Sequence, residues 1–281
     1  MALIQFDFES QYLNNNTTIS IILPDRPRNV DAEVFYGSDV KYKVLWLLHG
    51  TYGDHSDWVR KSMIELYARE KNLICVMPSA LNSDYMNWPK FGMGFDMESH
   101  IIKELRPLIY NWFPASEKKE DNYIAGLSMG GYGAWKLILD HSDCFEAAAV
   151  LSGVTEPVDH VDWDGTNPNS RMYTSRNPRF VNQLANAGSR EEFIKQFDLK
   201  GKMFSMYEQG RLPKLLFGCG TEDQGYQNFK NLEAECRAKG MPVKFGELPG
   251  VGHEWRFWDP FIQTALKFFN VDDKVDKAAL F

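Results

Sequence analysis

Residues 126–130 read Gly-Leu-Ser-Met-Gly. No other short stretch limits the folding options of this chain so sharply. A G-x-S-x-G pentapeptide suits a nucleophile elbow, in which a serine sits on a sharp turn between a strand and a helix. The turn imposes an unusual backbone conformation on the serine, and bulky side chains two residues away would collide, so glycine is needed on both sides. The pentapeptide alone is weak, because small residues recur by chance. Its context supports it: Asn122–Ala125 reads as the end of a buried strand, and Ala134–Leu139 reads as a helix.

The rest of the chain alternates in the same way. Near-alternating apolar residues over 3–8 and 17–23, with Asn14–Asn16 between them, predict an antiparallel pair. Val44–Leu48 and Leu73–Met77 are continuous apolar runs, expected of strands buried on both faces. Between them a helix is expected from Ser56 to Lys71, with Ser56 as its cap. Apolar residues at 101, 105, 108, 109 and 112 mark one helix face over 97–113, and Pro107 should kink that helix. Further strands are expected at 147–151, 214–217 and 243–248, with helices at about 225–239 and 258–269. This is the pattern of an α/β fold with a mainly parallel central sheet and helices on both faces. One such domain is expected across residues 1–281. Residues 153–213 are the exception, being polar and rich in Asn, Arg and Pro, with little periodicity except near 190–208. They read as an insertion forming a lid or one wall of a cleft.

Bulk properties narrow the function classes. The formal net charge is −7 and no basic run is present, which argues against a nucleic-acid partner. No apolar run reaches the length of a membrane-spanning helix, so no membrane partner is expected. Met1–Glu9 lacks the basic start and apolar stretch of a signal peptide. Cys75, Cys144, Cys219 and Cys236 form no C-x-x-C pair and no zinc spacing. They read as reduced structural thiols of a cytoplasmic protein; a secreted protein lacking its leader stays open. No metal or other cofactor is expected. A homo-oligomer is neither required nor excluded.

A serine hydroxyl needs an adjacent base, and the base needs a carboxylate to fix its tautomer. In a strand–elbow–helix fold the chain order is Ser, acid, His. His253 lies in a glycine-containing loop just beyond the last expected strand, whereas His49, His55, His100, His141 and His160 sit in other contexts. Asp223 follows a buried strand through a small-residue loop, with Glu222 as its near rival and helix capping as its bland alternative. The loop His49–Asp54 follows the strand at 44–48 and can present a backbone N–H to an oxyanion. Thr51 is the first candidate donor and Tyr52 the second; Met129, after the serine, supplies the other N–H.

Four segments together carry a resemblance: Leu47–Trp58, Gly126–Ala134, Cys219–Asp223 and Gly252–Trp258. They resemble the Putative esterase family of α/β-hydrolases. That family contains tributyrin esterases, S-formylglutathione hydrolases, and the feruloyl and acetylxylan esterases of carbohydrate esterase family 1; mycolyltransferases share its fold. The resemblance covers about residues 40–270 and looks closest to the tributyrin-type branch. It implies an α/β-hydrolase fold with Ser128 as nucleophile, Asp223 as acid, His253 as base, and backbone donors at Thr51 and Met129. The departures lie at 81–91 and 153–213, and both segments are rich in large side chains. Tyr52, Trp88, Trp163, Tyr173, Met203 and Tyr207 are therefore the candidate substrate-binding residues. The expected function is a serine carboxylesterase acting on a small-molecule or oligosaccharide ester. An acyltransferase and an S-formylglutathione hydrolase-like thioesterase are the alternatives on the same triad. A non-catalytic binding protein on this scaffold is disfavoured, because all three triad residues are retained.

Overall fold

The uninterrupted apolar runs of the sequence become the middle of an eight-stranded sheet in the computed structural model, which describes residues 2–155 and 177–271. The chain opens with β1 (Ala2–Ser10) and β2 (Asn15–Leu23), a short α1 (Ala32–Tyr36) and β3 (Val44–Leu48). Next come α2 (Asp57–Lys61), α3 (Ile64–Lys71), β4 (Ile74–Pro78) and a two-stranded ribbon of β5 (Asn87–Trp88) and β6 (Phe95–Asp96). Then α4 (Met97–Ser99) runs through a π-helical stretch (His100–Leu105) into α5 (Arg106–Trp112). The elbow strand β7 (Asn122–Leu127) leads into α6 (Met129–Asp140) and β8 (Ala147–Leu151). After the undescribed residues come α7 (Pro178–Ala187), α8 (Arg190–Phe197) and α9 (Leu199–Glu208). The chain closes with β9 (Lys214–Gly220), α10 (Tyr226–Ala238), β10 (Lys244–Leu248) and α11 (Trp255–Phe268).

The strand order is β1-β2-β4-β3-β7-β8-β9-β10. β1–β2 and β2–β4 pair antiparallel, and every neighbour from β4 to β10 pairs parallel. β3 shows why its run is apolar throughout. Val44, Trp46 and Leu48 point into one core, beneath the helices from α4 to α10, while Leu45 and Leu47 point into the other, beneath α2, α3 and α11. Each such side chain contributes about 1.5–3 kcal/mol on burial. This is the α/β-hydrolase arrangement expected from the sequence. No helix among the described residues is long and apolar enough to cross a membrane.

Local chemistry moves some boundaries. The helix expected over 56–71 is two helices, because Ser62 turns extended and its hydroxyl bonds back to the Trp58 carbonyl at 2.5 Å. Ser56 does not cap with its side chain; its hydroxyl donates to Asp54 at 2.6 Å instead. At Pro107 the helix does not break. A proline ring collides with the carbonyl four residues back, and the wider π turn over 100–105 makes room for it. The periodic stretch at 190–208 forms two helices, and α7 precedes them. α7 carries a start signal, since the Asn177 side chain accepts from the Arg179 N–H and Pro178 occupies the first helical position.

α4, α6 and α9 are joined by a charged cluster. The buried ammonium of Lys136 bonds Glu98 at 2.6 Å and Asp140 at 2.7 Å, His141 bonds Glu98 at 2.9 Å, and Lys202 also pairs with Asp140. Burial opposes the charge on Glu98. The hydrogen bond from His141 and the attraction of Lys136 outweigh it and hold the carboxyl at about 2, below its ordinary 4.5. A depressed carboxyl stabilises the fold above its unfolded value and loses that stabilisation as pH falls toward the folded one. Glu98→Gln should therefore cost on the order of 3 kcal/mol at neutral pH, with the deficit closing between about 4.5 and 2. Chemical denaturation of both proteins across that range checks it; a deficit independent of pH would refute the assignment.

Candidate active site

The serine of the pentapeptide sits where its flanking glycines leave room for it. Ser128 has φ 54° and ψ −120°, a region L-residues seldom enter, between the end of β7 and the start of α6. A Cβ on Gly126 would lie 2.2 Å from the Gly130 carbonyl oxygen, and one on Gly130 would lie 2.4 Å from that of Leu48 and 2.6 Å from that of His49. All of these are backbone contacts, so no side-chain movement relieves them. The Ser128 N–H bonds the Leu151 carbonyl at 2.8 Å and so ties the turn to β8.

The structure brings the three predicted side chains together. The Ser128 hydroxyl is 2.8 Å from His253 Nε2, and His253 Nδ1 is 2.8 Å from Asp223 Oδ2. The other carboxylate oxygen of Asp223 accepts the Gly225 N–H at 2.8 Å. Asp223 is buried and bonded to His253, whereas its rival Glu222 is exposed. Burial raises the Asp223 carboxyl, but hydrogen bonds from His253 and the Gly225 N–H outweigh it and keep it below its ordinary value. A carboxylate only accepts, so Nδ1 carries the proton and Nε2 is left to accept from the serine. That arrangement can strip a proton from Ser128 as the hydroxyl attacks a carbonyl carbon.

The loop after β3 passes directly over the serine, and a Cβ on Gly50 would lie 3.3 Å from Ser128 Cβ. His49 shapes this loop. Its Nε2 accepts the Ala80 N–H at 2.8 Å, so its Nδ1 donates, to the Gly50 carbonyl at 2.7 Å. Burial holds the imidazole below its ordinary value and therefore neutral. The Tyr52 N–H is engaged by Asn82 Oδ1 at 2.8 Å, which removes Tyr52 as an oxyanion donor. The Thr51 and Met129 N–H groups have no hydrogen-bond partner among the described residues. Met129 is the first residue of α6, where no carbonyl lies one turn back.

Beside Thr51 opens a cavity of about 720 Å³. Leu81, Asn82, Trp88 and Phe91 form one wall, and Arg179, Asn182 and Asn186 of α7 form the other. Ser128 and His253 are outside its lining, so Thr51 marks the junction between cavity and serine. The walls are held together by polar contacts. Buried Asp84 accepts from Arg179 Nε at 3.1 Å and Gln183 Nε2 at 2.7 Å, and Asn186 donates to the Asn87 carbonyl at 2.9 Å. Nine non-glycine residues have positive φ among the described residues, and three of them are Asn, which tolerates it. The other six are Tyr52, Leu81, Asp84, Tyr85, Ser128 and Ser152. All six belong to this site or the loops behind it.

Of the predicted pocket residues, Tyr52 and Trp88 line the cavity. Met203 does not, because it is fully buried in the core beneath α6 and α9. Nor does Tyr207, whose hydroxyl donates to the Lys239 and Gly240 carbonyls at 3.3 and 3.2 Å. Trp163 and Tyr173 lie outside the described residues. Sequence reasoning missed Asn82, Asp84 and Arg179. A cap-and-proline start at Asn177–Pro178 was the one available signal for the helix that carries Arg179.

The family described as Putative esterase matches residues 10–269 of this chain. An acetyl esterase of Caldicellulosiruptor saccharolyticus is 30% identical over 280 residues, spanning 96% of this chain and 98% of that protein. Two solved structures from Staphylococcus aureus are each 26% identical with a TM-score of 0.75, covering 95% of this chain and 98% of theirs. One is a substrate-bound fluorophosphonate-binding serine hydrolase F, and the other is an S-formylglutathione hydrolase without ligand.

The glycine contacts yield a direct test. Gly130→Ala places a methyl group against two carbonyl oxygens and should cost about 3 kcal/mol or more. Gly188→Ala has φ 90° but open space around it and should cost only about 1 kcal/mol. Thermal and chemical denaturation of the pair measures the difference, and equal losses would mean the elbow relaxes.

Proposed function

Since the chain belongs to the Putative esterase family, and is an ester-hydrolysing serine hydrolase, we propose that Ser128 is its nucleophile, His253 its base and Asp223 its acid. The observation that carries this reading is the unbroken chain of two 2.8 Å hydrogen bonds linking the three side chains. Ser128 Oγ attacks the ester carbonyl carbon while its proton passes to His253 Nε2. The carbonyl oxygen gathers negative charge between the Thr51 and Met129 N–H groups, which have no other partner among the described residues and are thereby suited to it. The C–O bond to the alcohol breaks, His253 returns the proton to the leaving oxygen, and an acyl group remains on Ser128. Water then repeats the sequence and releases the acid. Asp223 holds the charged imidazole throughout.

The substrate is a small or carbohydrate-linked ester with an acetyl, feruloyl or other short acyl group. A cavity of about 720 Å³ is far larger than an acetyl group needs. Its aromatic faces at Trp88 and Phe91 suit a sugar ring or an aromatic acyl group, and the carboxamides of Asn82 and Asn182 suit hydroxyls. α7 supplies one wall, which supports a cleft-wall role for the 153–213 insertion within one α/β-hydrolase domain. Four buried free cysteines suit a cytoplasmic setting.

Ser128→Ala should lower kcat by on the order of a million-fold while leaving the fold intact. A fluorophosphonate probe should label Ser128 in the parent protein and nothing in the variant. Turnover of p-nitrophenyl acetate by the alanine variant would sink the assignment. Trp88→Ala and Phe91→Ala should each lower kcat/KM on methyl ferulate or acetylated xylo-oligosaccharides by about tenfold, while p-nitrophenyl acetate changes by less than about twofold. Parallel losses on all three substrates would remove the cavity from substrate choice.

A further inference from the structure

We propose that the turn of the first hairpin clasps the tip of the β5–β6 ribbon, and that Asn14 is a positioning residue which sets where Phe91 and Phe95 stand in the cavity wall and so tunes the choice of large esters. The proposal rests on the reading of the cavity as the substrate site.

The ribbon is too small to hold itself. β5 and β6 have two residues each and form a sheet of their own, apart from the eight-stranded one. An isolated two-stranded hairpin is marginal in water at best. Yet this one carries much of a cavity wall, since Trp88, Phe91 and Phe95 all line the cavity. Trp88 and Phe95 are cross-strand partners, and Phe91 stands edge-to-face with Phe95, centroids 6.4 Å apart at 87°. The base of the ribbon is fastened beside α4. Asn87 Oδ1 accepts the Ser99 N–H at 3.0 Å, and the Met97 N–H bonds the Met86 carbonyl at 3.2 Å. Within the tip, the Phe91 N–H bonds the Trp88 carbonyl at 3.1 Å and the Gly94 N–H bonds the Phe91 carbonyl at 2.7 Å.

The outer hold comes from the turn between β1 and β2, far away in the sequence. Asn14 Nδ2 donates to the Met93 carbonyl at 3.0 Å and to the Gly94 carbonyl at 3.2 Å. Two residues earlier, the Tyr12 carbonyl accepts the Asp96 N–H at 2.9 Å. Among the described residues, the two bonds from Asn14 are the only hydrogen bonds that tie 89–94 to chain outside the ribbon. Both partners are shaped for the contact. Asn14 has φ 50°, which asparagine tolerates, and Gly94 has φ 107°, with a Cβ there falling 3.2 Å from Asn14 Nδ2. Between them Leu13 is buried in the same core as Phe95. The turn is in turn mounted on the π-helical stretch. Ser10 Oγ accepts the Leu13 N–H at 3.1 Å and donates to Glu104, whose other oxygen accepts the Gln11 N–H at 2.8 Å. His100 Nδ1 holds the same carboxylate at 2.7 Å. A helix thus steadies the turn, the turn steadies the tip, and the tip places two rings opposite Arg179 and Asn182 of α7. An acetyl group does not reach those rings, whereas a large ester draws binding from them.

Three variants of the full chain test this: Asn14→Gly, Asn14→Asp, and Asn14→Asp combined with Phe91→Ala. Glycine keeps the positive φ and removes the carboxamide. Aspartate keeps the shape and sets a carboxylate, which only accepts, against two carbonyl oxygens. On methyl ferulate and acetylated xylo-oligosaccharides, kcat/KM should fall about threefold in Asn14→Gly and about tenfold in Asn14→Asp, the rate equivalent of one or two hydrogen bonds. The loss should lie in KM, with kcat on these esters and both constants on p-nitrophenyl acetate within about twofold of the parent. In the Phe91→Ala background, Asn14→Asp should add less than about twofold, because both changes act on one ring. A residue that merely stabilised the fold would lower all substrates together and would not couple to Phe91. A parent-like ratio of large to small ester in Asn14→Asp, or losses that multiply in the double variant, would overturn the proposal. If Phe91→Ala and Trp88→Ala shift that ratio while both Asn14 variants leave it unchanged, only the clasp fails. If none of them shifts it, or the parent turns over neither large ester, the cavity reading fails and the clasp's role falls with it.

Discussion

α6 begins closer to the ends of β3 and β7 than any side chain would permit. Gly126 and Gly130 meet carbonyl oxygens at distances where a Cβ has no place, and everything else in the site hangs from that contact. It forces Ser128 into its positive-φ turn and leaves the Met129 N–H at a bare helix start. It also brings the loop after β3 over the serine, with Gly50 almost touching Ser128 Cβ. The turn at Ser128 and the two N–H groups beside it that have no partner among the described residues are thus consequences of one backbone approach. Six left-handed non-Asn residues cost about 1–3 kcal/mol each, and they persist because a sheet buried on both faces over-determines their positions.

Around that backbone, polar groups act in layers. His49 is kept neutral and uses both ring nitrogens on backbone, so it builds the loop without competing for the serine's proton. Asp223 is kept ionised by donors that outweigh its burial. Both groups are buried, with opposite outcomes, and the difference lies in their partners: His49 has a carbonyl and an N–H, whereas Asp223 has only donors. Charge-assisted hydrogen bonds are roughly twice as strong as neutral ones, which is why the acid and not the loop histidine is suited to hold a proton shuttle.

Much of this was legible in the residues. Val44–Leu48 and Ala147–Leu151 are strands because nothing polar interrupts them, and the elbow was visible because its glycines answer a steric demand at fixed spacing. Asp223 and His253, which the structure links to Ser128 by hydrogen bonds, were singled out by chain order and small-residue loops. What escaped was polar and long-range. Asp84 and Arg179 are 95 positions apart, and no periodicity announces such a pair. Asn82 is one amide in a loop, meaningful only because the Tyr52 N–H lies beside it. Met203 and Tyr207 were misplaced for a different reason. Their segment looked too polar to own a core, yet it folds as short helices whose apolar sides join the main one.

The site is built from two materials. The reacting groups stand on sheet backbone and glycine contacts, whereas the far wall of the cavity is fastened by Asp84 to Arg179 and Gln183 and by one carboxamide bond at Asn186. Arg179 is still 39% exposed, so salt reaches part of that fastening while it hardly reaches the elbow. Heat and ionic strength then act on the two halves unequally. The far wall loosens while the elbow holds, and the shape of the cavity becomes a property of the medium as much as of the sequence.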